Sequence, residues 1–344
     1  MDDVPAAGLD AVTELILAQA GDDLAAPVAV LDDVDGALTR ALAERGRTAA
    51  VWCDDVRSEG AVPEASRRAT PRQAVTGART VLWRLPRAVG AVEEYAELIA
   101  RHADPGVRVI AAERDKHLSR SMNTALARSF DSVTASLGHR KARALLASGP
   151  RTLAPSWPRT AHLETLDLDV VAHGATFGTN RLDRGTALLV ASLDRLPAAS
   201  AAIDLGCGSG ILATLLARRG LRVGAVDVAW SACDATRRTA AANGVEVEVR
   251  RRDGLAGSTE PVDLVVTNPP FHVRAAKDTS PTRELFTQAG DVLADGGELW
   301  CVYNAHLPYL PWLRRAIGPT TIVARDRAYV VTRSVRSSAR TGGR

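Results

Sequence analysis

One strand–turn–helix pattern occurs twice in this chain, as "VAVLDDVDGALTRALAERG" at 28–46 and as "AAIDLGCGSGILATLLARRG" at 201–220. Each copy has a short apolar run, a turn, apolar positions at helical spacing and an Arg-Gly stop, where glycine can end a helix. A repeat of this kind implies two copies of one architecture. The second half continues with apolar runs "LRVGAVD", "VEVEVRRRD", "VDLVVTN", "ELWCVYN" and "AYVVTRS". Helical spacing falls between them in "WSACDATRRTAAANG", "PTRELFTQAGDVLADGG" and "PYLPWLRRAIG". Strands alternating with helices of about ten to fifteen residues predict an α/β fold with a mostly parallel sheet and helices on both faces. The first half shows the same rhythm more weakly, through "TAAVWCDD", "TVLWRLP", "VEEYAELIARHADPGVRVIAAERD" and "FDSVTASLG".

Two polar, proline-bearing segments interrupt this rhythm. Residues 57–79 read as a long loop, and "SGPRTLAPSWPRTA" (148–161) as an interdomain connector. The expected organisation is a first domain over 1–150, a linker over 151–160, a second domain over 161–336 and a basic tail over 337–344. No apolar run approaches the roughly 20 residues of a membrane span. The acidic start "MDDVPAAGLD" has no basic or apolar leader pattern. Cys53, Cys207, Cys233 and Cys301 are scattered, which fits free thiols in a reducing cytoplasm and suggests no metal site. Residues 313–344 carry eight arginines and one acid, Asp326, a charge pattern suited to a phosphate backbone. "SLGHRKARALL" (136–146) reads as a basic helix with the same possible use.

The chemistry concentrates at the ends of the predicted strands. In "DLGCGSG", Asp204 precedes a turn of Gly206, Cys207, Gly208 and Gly210 that opens a helix. The glycines permit positive φ and close backbone approach, and the helix start offers free N–H groups. The spacing is GxGxG, not the GxGxxG of a dinucleotide site, and Asp204 would repel a pyrophosphate but attract an ammonium. Asp227 ends the next strand, where an acid can take both hydroxyls of a ribose. Asp253 follows the third strand, placed to accept from an adenine amino group. Each acid alone could be a strand-end cap; three in order at one sheet edge point to a ligand site. The fourth strand stops at Asn268-Pro269-Pro270-Phe271. The prolines remove two backbone donors, Asn268 adds a side-chain acceptor, and Phe271 offers a stacking face. Two acceptors converging on one point suit an amino group with two hydrogens to donate.

On these motifs, residues 201–304 resemble the class I S-adenosylmethionine-dependent methyltransferases that act on amino groups. "GATFGTNRLDRGTALLV" (174–190), "NPPFH" with its His272, and "VYNAHLPY" (302–309) narrow the resemblance to the ribosomal RNA guanine-N2 methyltransferases. "ERDKHLSRSMNTAL" and "SLGHRKARALL" resemble that family in the first half. The resemblance implies two tandem Rossmann-like methyltransferase domains, each with an antiparallel last strand, the first degenerate and the second active. It implies methyl transfer from S-adenosylmethionine to the exocyclic N2 of a guanine in rRNA. It places Asp204, Gly206, Cys207, Gly208 and Gly210 at the methionine end of the cofactor, with Asp227 on the ribose and Asp253 on the adenine. Asn180 and Asp183 would close over the cofactor; Asn268, Pro269, Pro270 and Phe271 would hold the base. The expected partner is rRNA, with no membrane or metal, and the expected state is a monomer. Two alternatives stay open: another amino group as target (adenine N6 or a protein glutamine amide), or a module that binds cofactor or RNA without turnover.

Overall fold

In a computed structural model, which describes residues 9–257, 260–269 and 280–337, the chain forms two compact units. One comprises the chain up to Pro158 together with His173–Ala175. The other comprises Arg159–Ala172 and the chain from Thr176 onward.

The first unit has strands β1 (Val28–Leu31), β2 (Ala49–Trp52), β3 (Thr80–Arg84), β4 (Arg108–Arg114), β5 (Phe130–Ala135) and β6 (Ala142–Pro150). They lie in the order β2-β1-β3-β4-β6-β5, parallel from β2 to β4, with β6 antiparallel to both of its neighbours. Its helices are α1 (Ala11–Ala20), α2 (Ala37–Glu44), α3 (Val56–Gly60), α4 (Pro71–Val75), α5 (Val89–His102) and α6 (Arg120–Ser129). Residues 57–79, expected as a loop, include α4 and most of α3. Asp55 accepts from Arg57 N at 2.9 Å and Thr70 from Gln73 N at 3.3 Å, so each short helix has an N-cap, and Pro71 suits the first turn of α4. Helices of five residues are too short to show a period. The expected basic helix at 136–146 is instead a turn leading into β6. Pairing with β4 on one side and β5 on the other overrides the helical propensity of its Ala, Leu and Arg residues.

The second unit starts with a hairpin, β7 (Arg159–Leu163) and β8 (Leu168–Ala172). Its main sheet holds β9 (Ala201–Leu205), β10 (Arg222–Asp227), β11 (Glu248–Arg251), β12 (Val262–Thr267), β13 (Leu293–Asn304), β14 (Thr320–Arg325) and β15 (Tyr329–Val335). The order is β11-β10-β9-β12-β13-β15-β14; β15 runs antiparallel to both neighbours and the strands from β11 to β13 are parallel. The helices are α7 (Arg184–Val190), α8 (Ile211–Arg218), α9 (Trp230–Ala242), α10 (Ser280–Val292) and α11 (Tyr309–Ala316). Alternation along the strands divides the core. Leu205, Val265, Leu299 and Cys301 pack with Phe286, Tyr309 and Leu313, while Ala202, Leu264, Val266 and Trp300 pack with Leu212 and Leu216. Two expectations shift here: the helix projected through Gly297 gives way to β13 at Leu293, and β14 was not anticipated. The hairpin was also unforeseen; its Val171 N bonds Thr239 Oγ1 at 3.0 Å on α9.

The first strands of the two sheets pair with their neighbours in matching register. Gly206 N donates to Val226 O at 2.8 Å, and Asp32 N donates to Trp52 O at 2.9 Å, both just past the first strand of their sheet. Where β11 lies beside β10, the first unit has a single parallel bridge between Val51 and Arg67 beside β2.

Candidate active site

The Gly-rich turn leaves β9 at Leu205 and enters α8 at Ile211. Gly206, Gly208 and Gly210 have φ of +79°, +55° and +79°. An added Cβ would meet nothing within 4 Å at Gly206 or Gly208, whereas at Gly210 it would lie 2.8 Å from Thr236 Cα. The first two glycines therefore shape an open backbone surface, and the third lets α8 pass close to α9.

Asp204 is buried at the base of this turn, 1% exposed. Its Oδ2 accepts from Ala213 N at 3.0 Å, and its Oδ1 has no partner among the described residues. Burial, helped by the charge of Asp227, pushes its carboxyl pKa up to about 7. Asp227 stands at the end of β10, its Oδ2 accepting from Gly208 N at 3.1 Å and its Oδ1 from Ala229 N at 3.0 Å. It thus rigidifies the glycine turn. Asp253 is exposed two residues beyond β11, next to a loop held by Gln288, whose Oε1 accepts from Leu255 N at 2.6 Å. Cys207 is buried; a hydrogen bond with Cys233 and desolvation push its thiol well up, so it packs as a neutral group.

At the end of β12, Thr267 Oγ1 donates to Leu205 O at 2.7 Å and ties this strand end to the turn. Asn268 follows. Its Nδ2 donates to Thr186 Oγ1 at 3.0 Å and to the Asp183 oxygens at 3.4 and 3.5 Å. Its Oδ1 is buried and unpartnered among the described residues. The carboxylate fixes which end is which, since an amide oxygen turned toward Asp183 would face negative charge. Asp183 itself caps α7, accepting from Gly185 N at 2.9 Å and Thr186 N at 3.3 Å. Asp183, expected over the cofactor, thus lies against Asn268. Asn180 is half-buried in the turn ahead of α7, and no hydrogen bond joins it to Asn268, Asp204 or Asp227 among the described residues. Pro269 is buried; Pro270, Phe271 and His272 lie outside the described residues. Sequence reasoning missed Thr186, Thr236, Thr267 and Gln288. Of these only Thr186 left a trace, as the third residue after an N-cap aspartate.

A buried acceptor with no donor costs about 1–3 kcal/mol, and here two stand at one sheet edge, on Asp204 and Asn268. The pair can take a cation and an amino group. An acceptor without a donor at Asp204, a carboxylate at Asp227 and open backbone at Gly206 and Gly208 are groups that could hold a cofactor bearing an ammonium and a ribose. No group of three or more His, Cys, Asp or Glu residues that could hold a metal occurs among the described residues. Likewise, no helix there is long and apolar enough to cross a membrane.

Residues 167–333 match the family model described as the methyltransferase small domain, and residues 5–151 match the RLMG N-terminal domain. The chain is 33% identical to the ribosomal RNA large subunit methyltransferase G of Streptomyces griseus, over 95% of this chain and 93% of that one. It belongs to that methyltransferase family. The enzyme of that name from Pseudomonas aeruginosa PAO1 is 35% identical over 74% of this chain and 70% of its own. A ribosomal RNA small subunit methyltransferase C from Chromohalobacter salexigens is 40% identical, but over 53% of this chain and 55% of its own. Among solved structures, a T. thermophilus 16S rRNA N2 G1207 methyltransferase in complex with AdoMet and guanosine gives a TM-score of 0.77. It is 22% identical over 94% of this chain and 91% of that one, and shares its fold. Tandem Rossmann-like α/β domains are therefore the architecture of this S-adenosylmethionine-dependent methyltransferase.

Proposed function

We propose that the enzyme methylates the exocyclic N2 of a guanine in ribosomal RNA at the edge formed by Asp204, Asp227 and Asn268. The observation that supports this most is the Asn268 amide, anchored through Nδ2 to Asp183 and Thr186 with its oxygen left over. S-adenosylmethionine, when bound, supplies an electrophilic methyl group. Asp204 Oδ1 holds the ammonium end, Asp227 the ribose, Asp253 the adenine amino group, and the Gly206–Gly210 turn the chain between them. Asn268 Oδ1 and the Pro269 carbonyl would accept the two hydrogens of guanine N2.

The lone pair of N2 is delocalised into the ring. Two fixed acceptors on its hydrogens hold the geometry in which that lone pair projects toward the cofactor side. Positioning of this kind can supply several kcal/mol. The N2 proton becomes acidic as nitrogen bonds to carbon and is released to water, so these neutral acceptors suffice and no strong base is needed. A guanine inside a helix cannot reach such an edge, so the target is unpaired or flipped out.

The first unit serves as a support and RNA-binding domain without cofactor. The enzyme works as a cytoplasmic monomer, with no metal. Mass spectrometry of nucleosides from rRNA of cells with and without the gene tests the reaction. Loss of N2-methylguanosine at one site, restored by the unaltered gene and not by Asn268→Ala, is the expected result. An unchanged rRNA profile overturns the substrate assignment and turns attention to the glutamine amide or adenine N6.

A further inference from the structure

The first unit carries a strained turn made of two cations. His139 N donates to Ala142 O and Ala142 N to His139 O, both at 2.8 Å, closing a two-residue hairpin turn between β5 and β6. Its central residues, Arg140 and Lys141, have φ of +47° and +62°. Both therefore sit in the left-handed region, at the positions where such turns favour Asn-Gly. The conformation is held from the end of β4 and the residue after it: Arg114 Nη1 donates to Arg140 O at 3.4 Å and Asp115 N to Lys141 O at 2.9 Å. Leu137, on the approach to the turn, is 92% exposed.

The charges around the turn are unequal. Arg140 pairs with Glu14 at 2.7 Å, which His139 also approaches at 3.4 Å, and Arg143 pairs with Asp115 at 3.5 Å. Lys141, with Lys116 and Arg120 beyond the end of β4, is exposed and has no carboxylate partner among the described residues. Local stability would favour Asn-Gly at these two exposed positions. Strained residues persist where they are over-determined by their surroundings, and they cluster where a ligand is clamped. A rigid projection bearing cations beside one bare apolar side chain matches a polyanion that also offers apolar faces.

We infer that this hairpin tip docks the RNA substrate, with Lys141, Lys116 and Arg120 on backbone phosphates and Leu137 against an unstacked base or ribose. The inference rests on the rRNA reading above and adds the surface that engages the RNA outside the methyl-transfer site. The full-length variants Lys141→Gly and Arg140→Asn/Lys141→Gly test it, because both relieve the left-handed strain and are expected to melt no lower than the unaltered enzyme. The probe is deproteinised large-subunit rRNA from cells lacking the gene, titrated across a range of salt. Each lost phosphate contact is expected to weaken binding about fivefold near 0.1 M salt and to flatten the slope of log K against log salt by about 0.7–0.9. Leu137→Ala is expected to weaken binding with no change of slope. Cofactor affinity stays unchanged in all three. An unchanged affinity and slope in the double variant overturns the docking role. Failure of the substrate reading is separately visible, as absence of N2-methylguanosine formation by the unaltered enzyme.

Discussion

The two units place different residues at matching positions of one scaffold. Strand register aligns Val30 with Asp204, Asp32 with Gly206, Cys53 with Asp227 and Arg84 with Asn268. In the second unit each of these positions presents an acceptor or an open turn. In the first, the same edge is closed by internal bonds. Arg84 is paired with Asp10 at 2.7 Å and lies 3.9 Å from Glu113. Against the cost of burial, Arg84 holds the Asp10 carboxyl down at about 2. Asp33 accepts from Leu38 N and Thr39 N, both at 2.9 Å, so each of its oxygens is occupied by the start of α2. Asp204 gives one oxygen to the matching amide, Ala213 N, and keeps the other. The backbone path survived even where its glycine did not, since Asp32 holds φ of +57°, which aspartate tolerates better than most residues. Architecture and chemistry thus separate cleanly: the strands and turn are shared, and a spare oxygen makes the difference.

The comparison breaks most visibly at the strand ends. Asn268→Ala should lower methyl transfer to rRNA by about 10²–10³-fold, the scale for removing one preorganised hydrogen-bonding group in an active site. Arg84→Ala should leave the rate per folded enzyme unchanged in the same labelled-methyl assay. Equal losses from both would mean the first unit shares the chemistry. Next in size, Asp227→Ala should weaken cofactor binding by about 10–100-fold, because charged hydrogen-bond partners are worth about 1.5–3 kcal/mol. Calorimetry should count one cofactor per chain; two would end the distinction between the units.

A smaller effect follows pH. The Asp204 pKa is raised in the folded state, so its stabilising contribution is complete below the ordinary carboxylate range and is lost as pH rises through about 7. Without cofactor, the melting temperature should fall between about pH 4 and pH 8 more steeply in the unaltered enzyme than in Asp204→Asn. Parallel profiles would sink the claim that this carboxyl is buried with an oxygen to spare. The smallest expected effect is Gly206→Ala, which forces alanine to φ of +79° and should cost about 1 kcal/mol, seen as a few degrees in melting temperature.

Local pattern made the α/β alternation, the duplicated strand–turn–helix and the order Asp204, Asp227, Asn268 readable, because each is a run of neighbours: an apolar strand, then a polar or glycine break. Short capped helices such as α3 and α4 escaped, being shorter than the period that would reveal them. "SLGHRKARALL" misled because its helical propensity is local, whereas the pairing of β6 with β4 and β5 is not. Asp183 was named only through the family resemblance, as a residue closing over the cofactor. Its bond to Asn268 joins residues 85 apart in sequence, and no spacing rule reaches that far. The sequence by itself determined the fold class and the chemical types gathered at the sheet edge, because strand ends and glycine turns are written locally. Only the tertiary structure decided which acceptors remain free, because a spare oxygen is defined by every donor around it, and those donors come from α7, α8 and β12 together.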